Sequence, residues 1–241
     1  MKLSWKANDV QKTNKNIGFS NLCCNCIDVW TLLVEAIEVF ACSVESHCYS
    51  TMRNTSYNNY GARADFEIKS IDEYGDCSSD HHFVVMPLWI IFNDLTFVEV
   101  GVGEGRMDGQ CKTVETFYTF DDDSSDWDLH GPASTSTTYT MKITHDSGTD
   151  WDLYKDTTLL RTITANYGVG KGGIGAEISH DNAIIADQRR DEIDRQYIDS
   201  GAWASWSSFD SQDYSNDNPP YKDICNNYDD AVFGDSGFTS C

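Results

Sequence analysis

Only four prolines interrupt this 241-residue chain, and no stretch of it stays apolar for the length of a membrane span. The best candidate, Cys26 to Val44, carries Asp28, Glu35 and Glu38, each costing roughly 2.5–3.5 kcal/mol at the centre of a bilayer. A membrane span is therefore not expected. Basic side chains are scarce as well: 17 Lys and Arg stand against 39 Asp and Glu, a net charge of −22. Nucleic acid and anionic membrane surfaces would be repelled, so neither is expected as a partner. Motifs for metal or phosphate chemistry are missing too. His81, His82, His130, His145 and His180 are scattered without the H-x-x-x-H spacing of a helical zinc site. Cys23-Cys24-x-Cys26, followed by Cys42 and Cys48, lacks the two paired C-x-x-C units of a zinc ribbon. No serine lies in G-x-S-x-G and no glycine-rich phosphate loop precedes a helix. No metal and no organic cofactor is expected.

What the chain has in quantity is Thr, Ser, Gly and Asp between short apolar runs, with twelve Tyr, eleven Phe and seven Trp. That is the composition of an all-β protein, long enough for a substantial core. Nine cysteines favour disulfides and an oxidising compartment, so the expected location is extracellular or the cell surface. The acidic balance suits a secreted protein, one working in acid or one living in salt, and serves plain solubility equally well. No clean signal peptide follows Met1, which leaves an unconventional leader or a chain that begins after its own start.

Two regions are expected. Residues 1–59 read as a polar, lysine-bearing arm followed by an apolar helix over Leu22–His47, whose polar positions Asp28, Thr31, Glu35, Glu38 and Glu45 form one narrow stripe. Asn54-Thr55-Ser56 in this region is a glycosylation sequon. Residues 60–241 read as the main domain, with strands over 62–71, 82–92, 95–102, 113–120, 137–145, 151–155, 159–165, 173–179, 182–186 and 202–209. Turn-forming stretches such as Asn93-Asp94 and Asp146-Ser147-Gly148 separate them. About ten strands joined by hairpins predict two antiparallel sheets packed as a jelly-roll sandwich. Gln188 to Gln196 reads as a charged loop or helical turn, and the tail after Phe209 as irregular.

Two of these strands stand out. In Phe97-Val98-Glu99-Val100-Gly101-Val102, the valines share one face and Phe97, Glu99 and Gly101 the other. In Gly173-Ile174-Gly175-Ala176-Glu177-Ile178, the apolar residues share one face and Gly175 and Glu177 the other. A glutamate beside glycine fills an interior poorly but suits a groove floor, where a substrate backbone can lie close. The ordinary alternative is a pair of solvent-facing strand positions on an acidic protein.

Seven features follow one another from Tyr60 to Cys241: Tyr60-Gly61-Ala62-Arg63-Ala64, Leu88-Trp89-Ile90, Val98-Glu99-Val100-Gly101-Val102, Thr116 to Asp121, His145 to Trp151, Gly175-Ala176-Glu177-Ile178, and the pair Cys225 and Cys241. In this order they resemble the neprosin family of secreted glutamic peptidases, and more distantly the eqolisins. Ala176 replaces the family's second glycine and Val102 its tryptophan, which alters the groove wall. The resemblance implies a jelly roll, a catalytic pair of Glu99 and Glu177, and acid-optimum endopeptidase activity. Peptide or protein is then the substrate, with Trp89, Phe97, Gly101 and Gly175 lining its groove.

Chemically, two neighbouring carboxyls cannot both ionise comfortably. One keeps a proton and donates it to the scissile carbonyl, while the other takes a proton from water. Two readings of other classes compete. One is a non-catalytic extracellular subunit that self-assembles, as a homo-oligomer or filament, through residues 1–59. The other is a glycan-binding module using Trp203, Trp206 and Phe209. Asp121–Asp128 and the group Asp210, Asp213 and Asp217 read as solvated acidic loops rather than calcium sites. Glu192-Ile193-Asp194 lacks, at Gln196, the second glutamate of a glycosidase motif.

Overall fold

The run Phe83-Val84-Val85-Met86-Pro87-Leu88-Trp89-Ile90-Ile91 has no charged side chain, so as a strand it needs cover on both faces, and all nine residues are buried. In the computed structural model, which describes residues 48–72, 82–179, 184–185, 188–197, 201–206, 211–215, 221–225 and 230–234, this run is the middle strand of a seven-stranded sheet. In chain order the strands are β1 (Cys48–Asn54), β2 (Asn59–Glu67), β3 (Ile71–Asp72), β4 (Phe83–Ile91), β5 (Phe97–Met107), β6 (Gln110–Asp121), β7 (Asp126–Pro132), β8 (Thr138–His145) and β9 (Asp150–Lys155). They continue as β10 (Thr158–Thr164), β11 (Lys171–Ile178), β12 (Ile184–Ile185), β13 (Gln188–Tyr197), β14 (Trp203–Ser205), β15 (Ser211–Ser215), β16 (Tyr221–Cys225) and β17 (Asp230–Gly234).

One sheet runs β15-β1-β11-β4-β5-β6-β7; the other runs β10-β9-β8-β2-β13-β17-β16, with β14 alongside β13. Every pairing is antiparallel. The core between them follows the strand alternation. Val84, Met86, Leu88, Val98, Val100, Ile174, Ala176 and Ile178 of the first sheet meet Ala62, Ala64, Phe66, Met141, Ile143, Trp151 and Leu153 of the second. Trp151 is fully buried because its indole N–H is satisfied by the Tyr167 carbonyl at 2.7 Å. The expected all-β, jelly-roll-like sandwich is the observed fold. Among the described residues no helix is long and apolar enough to cross a membrane.

The sequence reading departs from this fold in four places. Cys48–Asn54 lies ahead of Tyr60, yet β1 is an internal strand, between β11 and β15. Gln188–Gln196 is neither loop nor helical turn but most of β13, paired with β2 and β17. Its alternation is broken by a bulge between Asp191 and Asp194, where Glu192 takes φ 49°. Its charges are accommodated individually: Arg190 is fully buried over the Phe66 ring at 3.8 Å, and Asp194 accepts from Arg63 at 2.6 and 2.8 Å. The acidic run after Phe120 leads into β7, whose Trp127 and Leu129 are half-buried. The described parts of the tail beyond Phe209 are the strands β15, β16 and β17. The helix expected over Leu22–His47, the arm before it and Cys241 lie outside the described residues. All described residues belong to one compact unit, Glu38–Cys241. Cys111, on the hairpin between β5 and β6, is disulfide-bonded.

Candidate active site

Register alone brings the two glutamates to one surface. Glu99 on β5 stands opposite Trp89 on β4, and Glu177 on β11 stands opposite Val85. Trp89 and Val85 are four residues apart on one strand and therefore share a face, so both glutamates do too. That face is the outer one, away from the core, because the intervening residues Val98, Val100, Ile174 and Ala176 fill the interior. Outer-face position does not leave the pair exposed: Glu99 is 3% and Glu177 7% accessible. A second apolar cluster, Phe83, Val85, Met107 and Tyr118 with Phe120, Trp127 and Leu129 against it, packs on the same side.

Glu99 is held at both oxygens. The Trp89 indole donates to Oε2 at 2.7 Å and the Tyr118 hydroxyl donates to Oε1. Glu177 accepts a hydrogen bond from Tyr49, its cross-strand neighbour on β1. Burial above all, then the charge of Glu177, raises the Glu99 pKa from the ordinary carboxylate range to about 8, against the opposing pull of the Tyr118 and Trp89 donors. Asp122, just past β6, is pushed up to about 6 by burial and by Asp121, Asp123, Asp94 and Glu177. Both tyrosines are driven well above the ordinary phenol range, by burial first and by the glutamates second. Each therefore stays a neutral donor. A buried carboxyl that keeps its proton beside a second carboxylate, with neutral donors around both, can pass a proton to a reacting oxygen and take one from water.

The other candidates fall as follows. Trp89 is 3% exposed and aims its polar edge at Glu99. Phe97 is half-buried on the Glu99 face, its ring 5.8 Å from that of Phe120. The space beside Gly101 is taken by the protein itself: a Cβ there would lie 2.4 Å from the Met86 carbonyl oxygen and 2.9 Å from the Tyr118 hydroxyl. Glycine at 101 admits Tyr118 to its hydrogen bond with Glu99. At Gly175 a Cβ would lie 2.5 Å from the Ser50 carbonyl oxygen, so this glycine admits β1. Trp206 is only 2% exposed and packs in the core, which removes it from any glycan-binding face. Trp203 lies under the Arg63 guanidinium at 4.8 Å, and Phe209 lies outside the described residues. Asn54 of the sequon is fully buried, its Oδ1 accepting from the Ser56 amide and the Asn59 side chain, each at 3.1 Å. A glycan on its nitrogen is incompatible with the fold.

Sequence reasoning missed Tyr118, Tyr49 and Asp122. Tyr118 was legible in principle, since Phe120 faces Glu99 and Tyr118 is two residues along. Tyr49 was not, because nothing ahead of Tyr60 read as a strand.

No protein-family model and no curated protein matches the chain. Solved structures do. The fold is similar to that of Scytalido-glutamic peptidase, crystallised with a peptide-based transition-state analog, with TM-score 0.56 and 11% identity over 77% of this chain and 97% of that one. SCP-B, a member of the Eqolisin family of peptidases in complex with the tripeptide Ala-Ile-His, gives 0.47 and 11% over 78% and 96%. Bacillus licheniformis β-glucanase gives 0.33 and 12% over 52% and 56%. At these identities the likeness is one of fold alone, that of the Scytalido-glutamic peptidase sandwich.

Proposed function

We propose that this protein hydrolyses peptide bonds through Glu99 and Glu177, as a secreted glutamic endopeptidase of the neprosin kind. The observation that carries the reading is the placing of two buried glutamates from distant strands on one face of one sheet; burial and the charge of Glu177 raise the pKa of Glu99. The ordered motifs from Tyr60 onward and a glutamic peptidase among the structural neighbours support it. In the proposed cycle Glu177 takes a proton from water as the oxygen attacks the scissile carbonyl, and Glu99 gives its proton to the developing oxyanion. Collapse of the tetrahedral intermediate expels the amine, which leaves with a proton from the pair. Trp89 and Tyr118 hold Glu99 in place, and Phe97 lines the groove beside it. Turnover is expected to fall as pH rises enough to ionise Glu99.

The test is cleavage of a peptide library between pH 3 and 9 by the wild type, Glu99→Gln and Glu177→Gln. Cleavage by the wild type, with either variant at least about 100-fold slower, is expected. No cleavage by well-folded wild type at any pH would remove the reading.

A further inference from the structure

β1 delivers side chains to the face that carries the glutamates. Its even-numbered Met52 is fully buried in the core, so its odd-numbered residues face the other way. Tyr49, Thr51 and Arg53 accordingly stand opposite Glu177, Gly175 and Gly173. The approach of β1 is close because position 175 is glycine. The Tyr49 hydroxyl bonds to the Glu177 carboxylate, and the Arg53 charge is near enough to act on that phenol.

A carboxylate that is to lift a proton from water needs one oxygen aimed at that water. A glutamate side chain has free rotation about its last bonds, so something has to hold its other oxygen. The holder should be a donor, because a donor favours the ionised form, and it should be neutral, so that it does not itself trade the proton. A buried phenol meets both requirements. Glu99 has its equivalent in Trp89 and Tyr118.

We propose that Tyr49 is a positioning residue for Glu177, fixing one carboxylate oxygen by its hydroxyl so that the other is presented to the attacking water. The inference rests on the hydrolase reading above. The groups that bear on Glu177 are Tyr49 with Arg53 beside it on β1, Glu99 on β5, Tyr118 on β6 and Asp122 just past β6. From β4 only uncharged side chains, Val85 and Trp89, approach. Removing the Tyr49 hydroxyl frees the Glu177 carboxyl to turn, so fewer molecules present an oxygen to the attacking water; turnover falls while substrate binding stays.

The experiment compares full-length wild type with Tyr49→Phe, which keeps the ring and its packing. The expected result is a kcat lowered about 10- to 100-fold with KM within about two-fold. A tyrosine that only packs would leave kcat as it is. The carbon-13 chemical shift of the Glu177 carboxyl, assigned by its loss in Glu177→Gln, supplies a readout independent of turnover and is expected to change when the hydroxyl is removed. An unchanged kcat and an unchanged Glu177 shift in an active enzyme overturn this inference alone. An inactive wild type overturns the hydrolase reading and this inference with it.

Discussion

Replacing Glu99 with glutamine is expected to invert the order of stability between wild type and variant as pH rises. Glu99 keeps its proton in the folded protein to about pH 8 and loses it near 4.5 in the unfolded chain. The folded-state pKa is the higher one, so the stabilisation is complete below pH 4.5 and is lost as pH climbs to about 8. By linkage that loss is about 5 kcal/mol, a large share of the 5–15 kcal/mol typical of a domain. Glutamine does not titrate. Its carbonyl can take the Trp89 N–H, and its amide can donate to the Tyr118 hydroxyl, which accepts as well as it donates. At pH 4 the variant should therefore lie within about 1 kcal/mol of the wild type. At pH 8 it should be the more stable of the two, by up to about 4 kcal/mol. Urea unfolding at pH 4, 6 and 8 measures this directly, and subtracting the two proteins cancels the titrating groups on which Glu99 does not act. A difference that stays constant across the range would refute the claim that burial and Glu177 keep Glu99 protonated.

Three further outcomes are expected. Trp89→Phe removes a donor to the Glu99 anion and should shift the alkaline limb of the cleavage profile upward by about one pH unit; an unmoved or lowered limb counts against the Trp89–Glu99 bond. Gly101→Ala forces a Cβ against the Met86 backbone carbonyl at 2.4 Å and should cost about 2–4 kcal/mol in urea unfolding. Adding Tyr118→Phe should not restore the loss, because the backbone clash remains. Folded protein expressed in a glycosylating host should show no glycan mass at Asn54, whose side chain is fully buried; a glycosylated, folded product would show the turn at Asn54–Asn59 to be misplaced.

The glutamates were legible because each sits in a strand whose alternation is regular: valines at 98, 100 and 102 announce which way Glu99 must point, and Ile174 and Ile178 do the same for Glu177. The long apolar run of β4 likewise declares a strand covered on both faces. Regularity is what β13 lacks. Its bulge at Glu192 puts Arg190, Asp194 and Arg195 all out of solvent, and a charged run with a broken period does not look like a strand until Phe66 and Arg63 are seen to receive it. β1 was hidden differently. Cys48-Tyr49-Ser50-Thr51-Met52-Arg53 is short and mostly polar, and it becomes a strand because β11 and β15 bond to it on either side. The tyrosines that bond to Glu99 and Glu177 have a reach that depends on register, and register is set by these long-range pairings.

The place of β1 also fixes when the site can form. Its neighbours β11 and β15 arrive more than a hundred residues later in the chain, so during synthesis Tyr49 waits with both strand edges bare while most of the polypeptide is still being made. Contacts of such long sequence separation fold slowly and leave unpaired edges open to other chains. The face that carries Glu99 and Glu177 is thus among the last parts of the sheet to be completed, and a nascent chain lacks the pairing that sets Tyr49 against Glu177.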